Sequence, residues 1–356
     1  FTIKSRKKYK ILSSAASTWN NEIKKAGYNS RRPPWNLNKD LRIDTNYEIF
    51  LLCRKIDHCF KYKSFNYLVS DKFILLLDEF YNKYKNFCRN KQYRCLVVSE
   101  YNSFFSKVAL SIFRDLSKPS IFLHHGGVPT FYEKNIQNRC DYFVMWGKKQ
   151  INSYSKMGYN KNKFYVSGHP SYTEIPKKLK FGLNNILVIN KSLLGVHPME
   201  KFPNEDKGNA IIYLYSLQNV LKKMGVENVK LKVHPSENFN WYKKYIDSNF
   251  FQRAGDNINK CLDKADLVIG PASTTIIDSL FNGVNYVIYE PKIKNKSILG
   301  WDITPPIDGK DPRIPVAFNE DELINILKNK LKIEISILNE FVKQPLDLTF
   351  FEKIIK

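Results

Sequence analysis

Short apolar runs that stop in glycine or polar residues, each followed by a helix-like stretch, recur along this chain. They constrain its fold more than any other feature. In the first half they read YRCLVVSE (93–100), SIFLHHGG (120–127), CDYFVMWG (140–147) and KFYVSGHPSY (163–172). In the second half they read NNILVINKS (184–192), NVKLKVHPS (228–236), ADLVIGPAS (265–273) and VNYVIYEPK (284–292). Runs this short and uniformly apolar are buried strands, and strands alternating with helices build a parallel sheet covered on both faces. Such sheets place ligands beyond the C-terminal ends of their strands, where this chain puts its glycines and polar residues.

The pattern falls into two cycles. The break lies in the basic, proline-containing IPKKLKFGLNN, about residues 175–185. A chain of 356 residues is long enough for two cores of ordinary size. The expected organisation is a Rossmann-like domain over 1–178 and a second over 179–335. A C-terminal helix over 336–356 is expected to pack back toward the first domain. Helices are expected over 47–63 and 72–87, from apolar residues at three- and four-residue spacing. VNYVIYEPK reads as the last strand, and DELINILKNKLKIEISILNEFVK as a helical tail.

Several classes fall away on composition. No run reaches the length of apolar sequence a membrane helix needs, and FILLLDEFY (73–81) carries two acids. No signal-peptide pattern opens the chain, and its first residue, Phe1, suggests a piece excised from something longer. Six cysteines show no CxxC pair; Cys53, His58 and Cys59 lack a fourth metal ligand, so free thiols in a reducing compartment are expected.

The net charge is +23, and its distribution is uneven. Residues 1–180 hold 34 Lys+Arg against 13 Asp+Glu, and residues 181–356 hold 23 against 21. The first half is therefore expected to meet something anionic, whether a phospholipid surface, a polyanionic glycan or nucleic acid. A lysine-rich genome would raise the lysine level but not the difference between halves.

Three of the six histidines stand directly before proline: His169, His197 and His234. His234 ends the strand LKVHP, and GPASTTIIDSLFNG (270–283) follows the strand ADLVI and opens a helix. Ser273, Thr274 and Thr275 fall at that helix start. Unpaired N–H groups, the helix dipole and the hydroxyls all favour a phosphate there, although Ser and Thr are also ordinary capping residues. Imidazolium donates to phosphate, and Pro235 stiffens the turn that aims it. His234 is expected to emerge close to the Ser273 turn.

The pair formed by KVHP and the segment ADLVIGPASTTIIDS resembles the donor half of GT-B glycosyltransferases that use cytidine nucleotides. It is similar to bacterial polysialyltransferases, β-Kdo transferases and CDP-glycerol glycerophosphotransferases, with the likeness running over about residues 90–290. The resemblance implies an α/β fold of GT-B type, two Rossmann-like domains with a cleft between them. It implies that Lys232, His234, Pro235, Ser273, Thr274 and Thr275 bind the donor nucleotide, with Asn190, Lys191 and Ser192 as further donors; the role of Asp278 stays open. His169 is expected to be structural, and His197 to lie on a loop surface.

HHGGVPTFYEK (124–134) resembles the strand-loop that faces the cleft in that family, with His124 or His125 reaching sugar or acceptor. An inverting transfer needs a carboxylate base, and Glu100 ends the strand YRCLVVSE; in a retaining enzyme it would act as nucleophile. The family's paired acids and glycine are absent here, where the sequence reads SEYN, and a helix-start acid is the competing reading for Glu100. The candidate catalytic residues are Glu100, His125 and Glu133.

The implied activity is transfer of an ulosonic-acid sugar, Kdo, sialic or related, from its CMP ester to a bacterial cell-surface polysaccharide or lipid-linked glycan. A CMP ester carries one phosphate, and no Asp-x-Asp motif is present, so neither metal nor other cofactor is expected. The expected location is cytoplasmic, peripheral on the inner membrane through the basic half, where aromatic and basic residues interleave in KYKSFNY. Two alternatives stand beside this: a CDP-glycerol- or CDP-ribitol-type polyol phosphotransferase, and a basic nucleic-acid-binding protein. The last has only charge in its favour, and nucleic acid is not an expected partner.

Overall fold

The computed structural model describes residues 9–35, 47–100, 103–124, 126, 139–156, 158–191, 207–235, 237–293, 296–299, 303 and 305–355. The chain gathers into two compact units. One is drawn from residues 1–125, 133–173 and 342–356, the other from 126–132 and 174–341.

The first unit runs β1 (Lys10–Ser13), α1 (Ser17–Lys25), β2 (Asn29–Arg31), α2 (Tyr47–Tyr62), α3 (Phe65–Leu68), α4 (Asp71–Asn90), β3 (Cys95–Val98), α5 (Phe104–Asp115), β4 (Ser120–Leu123), β5 (Tyr142–Met145), α6 (Lys148–Lys156) and β6 (Phe164–Val166). Its six strands form one parallel sheet in the order β2-β1-β3-β4-β5-β6. The central strands CLVV and SIFL are buried at every position, as expected for a sheet covered on both faces. β1 and β2 were not anticipated, because KILS and NSR are too short and polar to stand out from the basic opening.

The second unit runs β7 (Ile186–Ile189), α7 (Lys207–Lys223), β8 (Val229–Lys232), α8 (Phe239–Tyr242), β9 (Phe251–Arg253), α9 (Ile258–Lys264), β10 (Leu267–Gly270), α10 (Thr275–Phe281) and β11 (Tyr286–Tyr289). A two-stranded hairpin of β12 (Lys292–Ile293) and β13 (Lys296–Ser297), then β14 (Val316–Ala317), α11 (Glu320–Lys328) and α12 (Leu338–Phe341), complete it. The main sheet is parallel, ordered β14-β11-β10-β7-β8-β9. The chain enters at the centre on β7, builds outward through β8 and β9, then crosses back to β10 and builds the other way. Four strands of this unit are not among those expected: β9 and β14 carry only FQR and VA, and the hairpin strands β12 and β13 only KI and KS.

The tail is less helical than its composition suggested. α11 ends at Lys328, a 3-10 turn at Ile335–Ile337 leads into α12, and α13 (Phe350–Ile354) follows. Phe350, Phe351 and Ile354 belong to the first unit's core, packed with Ile11, Val97 and Ile121. Backbone bonds from Lys343 N–H to the Trp146 carbonyl (2.8 Å) and from Asp347 N–H to the Ser167 carbonyl (2.7 Å) fix the segment there. All six cysteines are free, five of them buried. Among the described residues no helix is long and apolar enough to cross a membrane.

Candidate functional site

Each sheet has one point where strand order reverses, and a crevice opens there because the helices on either side leave in opposite directions. In the second unit this point lies between β7 and β10. Asn190 and Lys191 follow β7 there, and Gly270 to Thr275 follow β10. Gly270 leaves no free room for a side chain at this spot: a Cβ would stand 2.5 Å from the Tyr286 hydroxyl and 3.0 Å from both Ile189 Cβ and the Ile189 carbonyl. Bare backbone lets the two strand ends converge.

His234 is expected close to the Ser273 turn, but the strand it ends is not the neighbour of β10. β7 lies between β8 and β10, so the two strand ends are separated by roughly 10 Å of sheet, two interstrand spacings. Asn190 and Lys191 occupy the intervening position. The Asn190 N–H bonds the Lys232 carbonyl (3.0 Å), and the Asn190 Oδ1 accepts from the Lys191 N–H (2.9 Å). Asn190 is buried, and its Nδ2 finds no acceptor in hydrogen-bonding geometry among the described residues. The Tyr242 phenol nearby feels that amide, but its own proton goes to the Glu237 Oε2 at 2.6 Å.

Burial lowers the Lys191 ammonium to about 8, with the Glu290 carboxylate pulling it back up. His234 is half-buried, and desolvation likewise holds its imidazole below the usual range; Glu237 opposes that shift and Lys232 adds to it. Lys232, His234, Pro235, Glu237 and Arg253 line a cavity of about 400 Å³ beyond β8 and β9.

The Ser/Thr segment is built more tightly than capping alone requires. The Ser273 Oγ accepts from the Thr275 N–H (3.2 Å) and donates to the Thr275 Oγ1 (3.1 Å). Thr274 holds the N-cap position in helical geometry without a side-chain cap bond. Behind it sits Glu290, directly after β11 and buried, which sequence reasoning missed. Its Oε1 accepts the Ala272 N–H at 2.7 Å and its Oε2 accepts the Ser297 hydroxyl at 2.5 Å. The signal was present in YVIYE, an acid at a buried strand end like those singled out elsewhere. Gly126 groups with this unit; a Cβ there would come within 3.2 Å of the Thr274 Oγ1.

In the first unit, strand order reverses between β1 and β3. A cavity of about 460 Å³ opens there, lined by Ser14 after β1, Ser99 and Glu100 after β3, Trp35, and Arg54 and Asp57 of α2. The Trp35 ring stacks on Phe105 at 5.7 Å between centroids. The Glu100 Oε1 accepts the Ser103 N–H (2.7 Å) and its Oε2 the Ser106 hydroxyl (3.3 Å), so this carboxylate also organises the start of α5.

Of the other histidines, His124 bonds Gln150 through Nδ1 at 3.2 Å, and its carbonyl accepts from the Trp146 indole at 2.7 Å. The His169 ring packs on Trp146 at 4.1 Å and edge-on against Trp19 at 5.5 Å, and burial drops it to about 4. It is a neutral packing residue. His125, Glu133, Ser192 and His197 lie outside the described residues.

No family model matches the chain, and no curated protein does. Solved structures do match over nearly the whole length. S. aureus MnaA with UDP aligns at a TM-score of 0.52 and 7% identity, over 98% of each chain. The UDP-GlcNAc 2-epimerase of Methanocaldococcus jannaschii, in complex with UDP-GlcNAc and UDP, aligns at 0.51 and 11%, over 94% of this chain and 95% of that one. The UDP-N-acetylglucosamine 2-epimerase of Rickettsia bellii aligns at 0.50 and 11%, over 98% and 92%. These likenesses, with the two six-stranded parallel sheets, define the fold as GT-B.

Proposed function

We propose that the chain is a glycosyltransferase that takes a nucleotide-activated sugar at the β7/β10 reversal point and passes it to a surface polysaccharide or lipid-linked glycan. The observation that carries this reading is the convergence there of a cation, a buried amide whose Nδ2 finds no acceptor in hydrogen-bonding geometry among the described residues, and a hydroxyl-lined turn: Lys191, Asn190 and Ser273 to Thr275. Together they supply the positive charge and the donors that a nucleotide phosphate requires. His234 adds a further donor one strand further out, where a leaving phosphate gains charge as the bond to the sugar breaks.

In the reaction, an acceptor hydroxyl oxygen bonds the anomeric carbon, the bond from that carbon to the phosphate oxygen breaks, and the nucleotide leaves. Glu100 takes the hydroxyl proton. Its place at the β1/β3 reversal point, in a cavity with an aromatic wall, supports this assignment. We assign the donor as a CMP-linked ulosonic acid, on the resemblance of KVHP and GPASTT. The basic first half then faces an anionic acceptor or an anionic inner-leaflet surface.

A second reading is favoured by the similar structures that hold UDP: a UDP-sugar donor, or an epimerase that needs no acceptor. A donor screen separates the readings. Calorimetry and turnover are measured with CMP-Kdo, CMP-sialic-type sugars, CDP-glycerol and UDP-GlcNAc. Binding and acceptor-dependent release of CMP are expected; acceptor-independent consumption of UDP-GlcNAc would replace the transferase reading.

A further inference from the structure

Of thirteen large apolar side chains that stand exposed among the described residues, eight fall between residues 47 and 75. Tyr47 is 71% exposed, Tyr62 73%, Phe65 75% and Leu75 67%. Their placement is regular. On α2, Tyr47, Leu51, His58 and Tyr62 recur at helical spacing on the face opposite Ile49, Leu52, Ile56 and Cys59, which pack inward. α3 then presents Phe65, with Val69 just beyond it, and the first turn of α4 presents Ile74 and Leu75.

The charges around this set have one dominant sign. Residues 47–75 carry Arg54, Lys55, Lys61, Lys63 and Lys72 against Glu48, Asp57 and Asp71; Glu48 pairs with Lys83, and Asp57 with Lys61 at 2.8 Å. Beyond Leu75 the outer face of α4 turns acidic with Asp78 and Glu79, which sets an edge to the patch. Lysines at this density are depleted from the cores of protein–protein interfaces. Exposed tyrosines and phenylalanine interleaved with lysines suit a bilayer surface, where rings settle at headgroup level and ammonium groups meet lipid phosphates.

We propose that the α2–α3–α4 tip, with the adjoining outer stripe of α2, seats on an anionic lipid bilayer. Arg54 belongs both to this surface and, with Phe50, Cys53 and Asp57, to the wall of the Glu100 cavity. Seating α2 therefore brings the cavity rim to the headgroup layer, where a lipid-linked acceptor presents its sugars. That last step rests on the transferase reading; the docking surface does not.

The test is co-sedimentation of the full chain with vesicles of phosphatidylglycerol and phosphatidylcholine, and with phosphatidylcholine alone. Binding is expected to the anionic vesicles and to weaken with salt. Tyr62→Ser, Phe65→Ser and Leu75→Ser should each weaken it about tenfold, with unchanged thermal melting because these side chains are exposed. Asp78→Lys should strengthen it. Failure of the wild-type chain to bind anionic vesicles overturns the proposal, as does undiminished binding by the combined triple variant. A dimer in sedimentation velocity that the same three changes dissociate would make a second copy the occupant instead. Nucleotide calorimetry on the same variants reports separately on the transferase reading, and no change is expected there.

Discussion

The buried Glu290 carboxylate receives the Ala272 N–H at 2.7 Å, so the end of β11 holds the turn that opens α10. The same carboxylate raises the Lys191 ammonium from the value burial alone would give it. One acid thus fixes the geometry of the hydroxyl-lined turn and tunes the cation beside it.

Glu290→Ala should destabilise the chain by about 1–3 kcal/mol, because the Ala272 N–H and the Ser297 hydroxyl lose their acceptor in a buried setting. Urea denaturation measures this. Glu290→Gln retains an acceptor and removes the charge, so it should cost less stability. It should also move the Lys191 ammonium further below about 8.

Gly270→Ala should cost roughly 1–3 kcal/mol from overpacking against Ile189 and the Tyr286 hydroxyl. Because the strain falls where β7 and β10 converge, nucleotide affinity should fall by more than the loss of folded protein accounts for. Calorimetry at a temperature where the variant is fully folded separates the two effects.

Nucleotide affinity should have two pH limbs. A bound phosphate favours the charged forms of Lys191 and His234, and in the free protein burial lowers both groups. Affinity should therefore fall as pH rises through about 8, where Lys191 gives up its proton. It should strengthen on acidification as His234 takes one up. His234→Gln should remove the acid limb and leave the alkaline one; an unaltered acid limb would show that His234 is not the group that produces it.

Glu100→Gln should bind the donor as the wild-type chain does and lose transfer, by at least about a hundredfold for a missing general base. Since Glu100 also receives Ser103 and Ser106 at the start of α5, melting must be compared; Gln keeps one acceptor oxygen in place of two.

His169 provides a stability test unconnected with the donor site. Its folded value, about 4, lies below the ordinary imidazole value, so the fold prefers the neutral ring. That contribution is complete above about pH 6.5 and is lost as pH falls toward about 4, reaching roughly 1–2 kcal/mol by about pH 5. Replacing His169 by Phe should flatten the pH dependence of the urea midpoint over that window.

The sequence determined most of the strands and which polar residues follow them. CLVV, SIFL, ILVI and YVIY are almost wholly apolar and buried at every position because both sheet faces are covered, and the residues after them are polar because strand ends meet solvent and ligand. KILS, NSR, FQR and VA gave no such signal, since strands of two to four residues at or near a sheet edge borrow their stability from a neighbour. Strand order was decided only in three dimensions. Nothing local places β7 between β8 and β10, so the strand ends that carry His234 and the Ser273 turn are not neighbours, and Asn190 and Lys191 follow the strand between them. Glu290 matters for the same reason. An acid after an apolar run is common, and only the packed structure shows which N–H it holds. Sequence period specifies which faces are buried; the crossover of β9 back to β10 decides which strand ends share a crevice, because that choice depends on contacts between segments far apart in the chain.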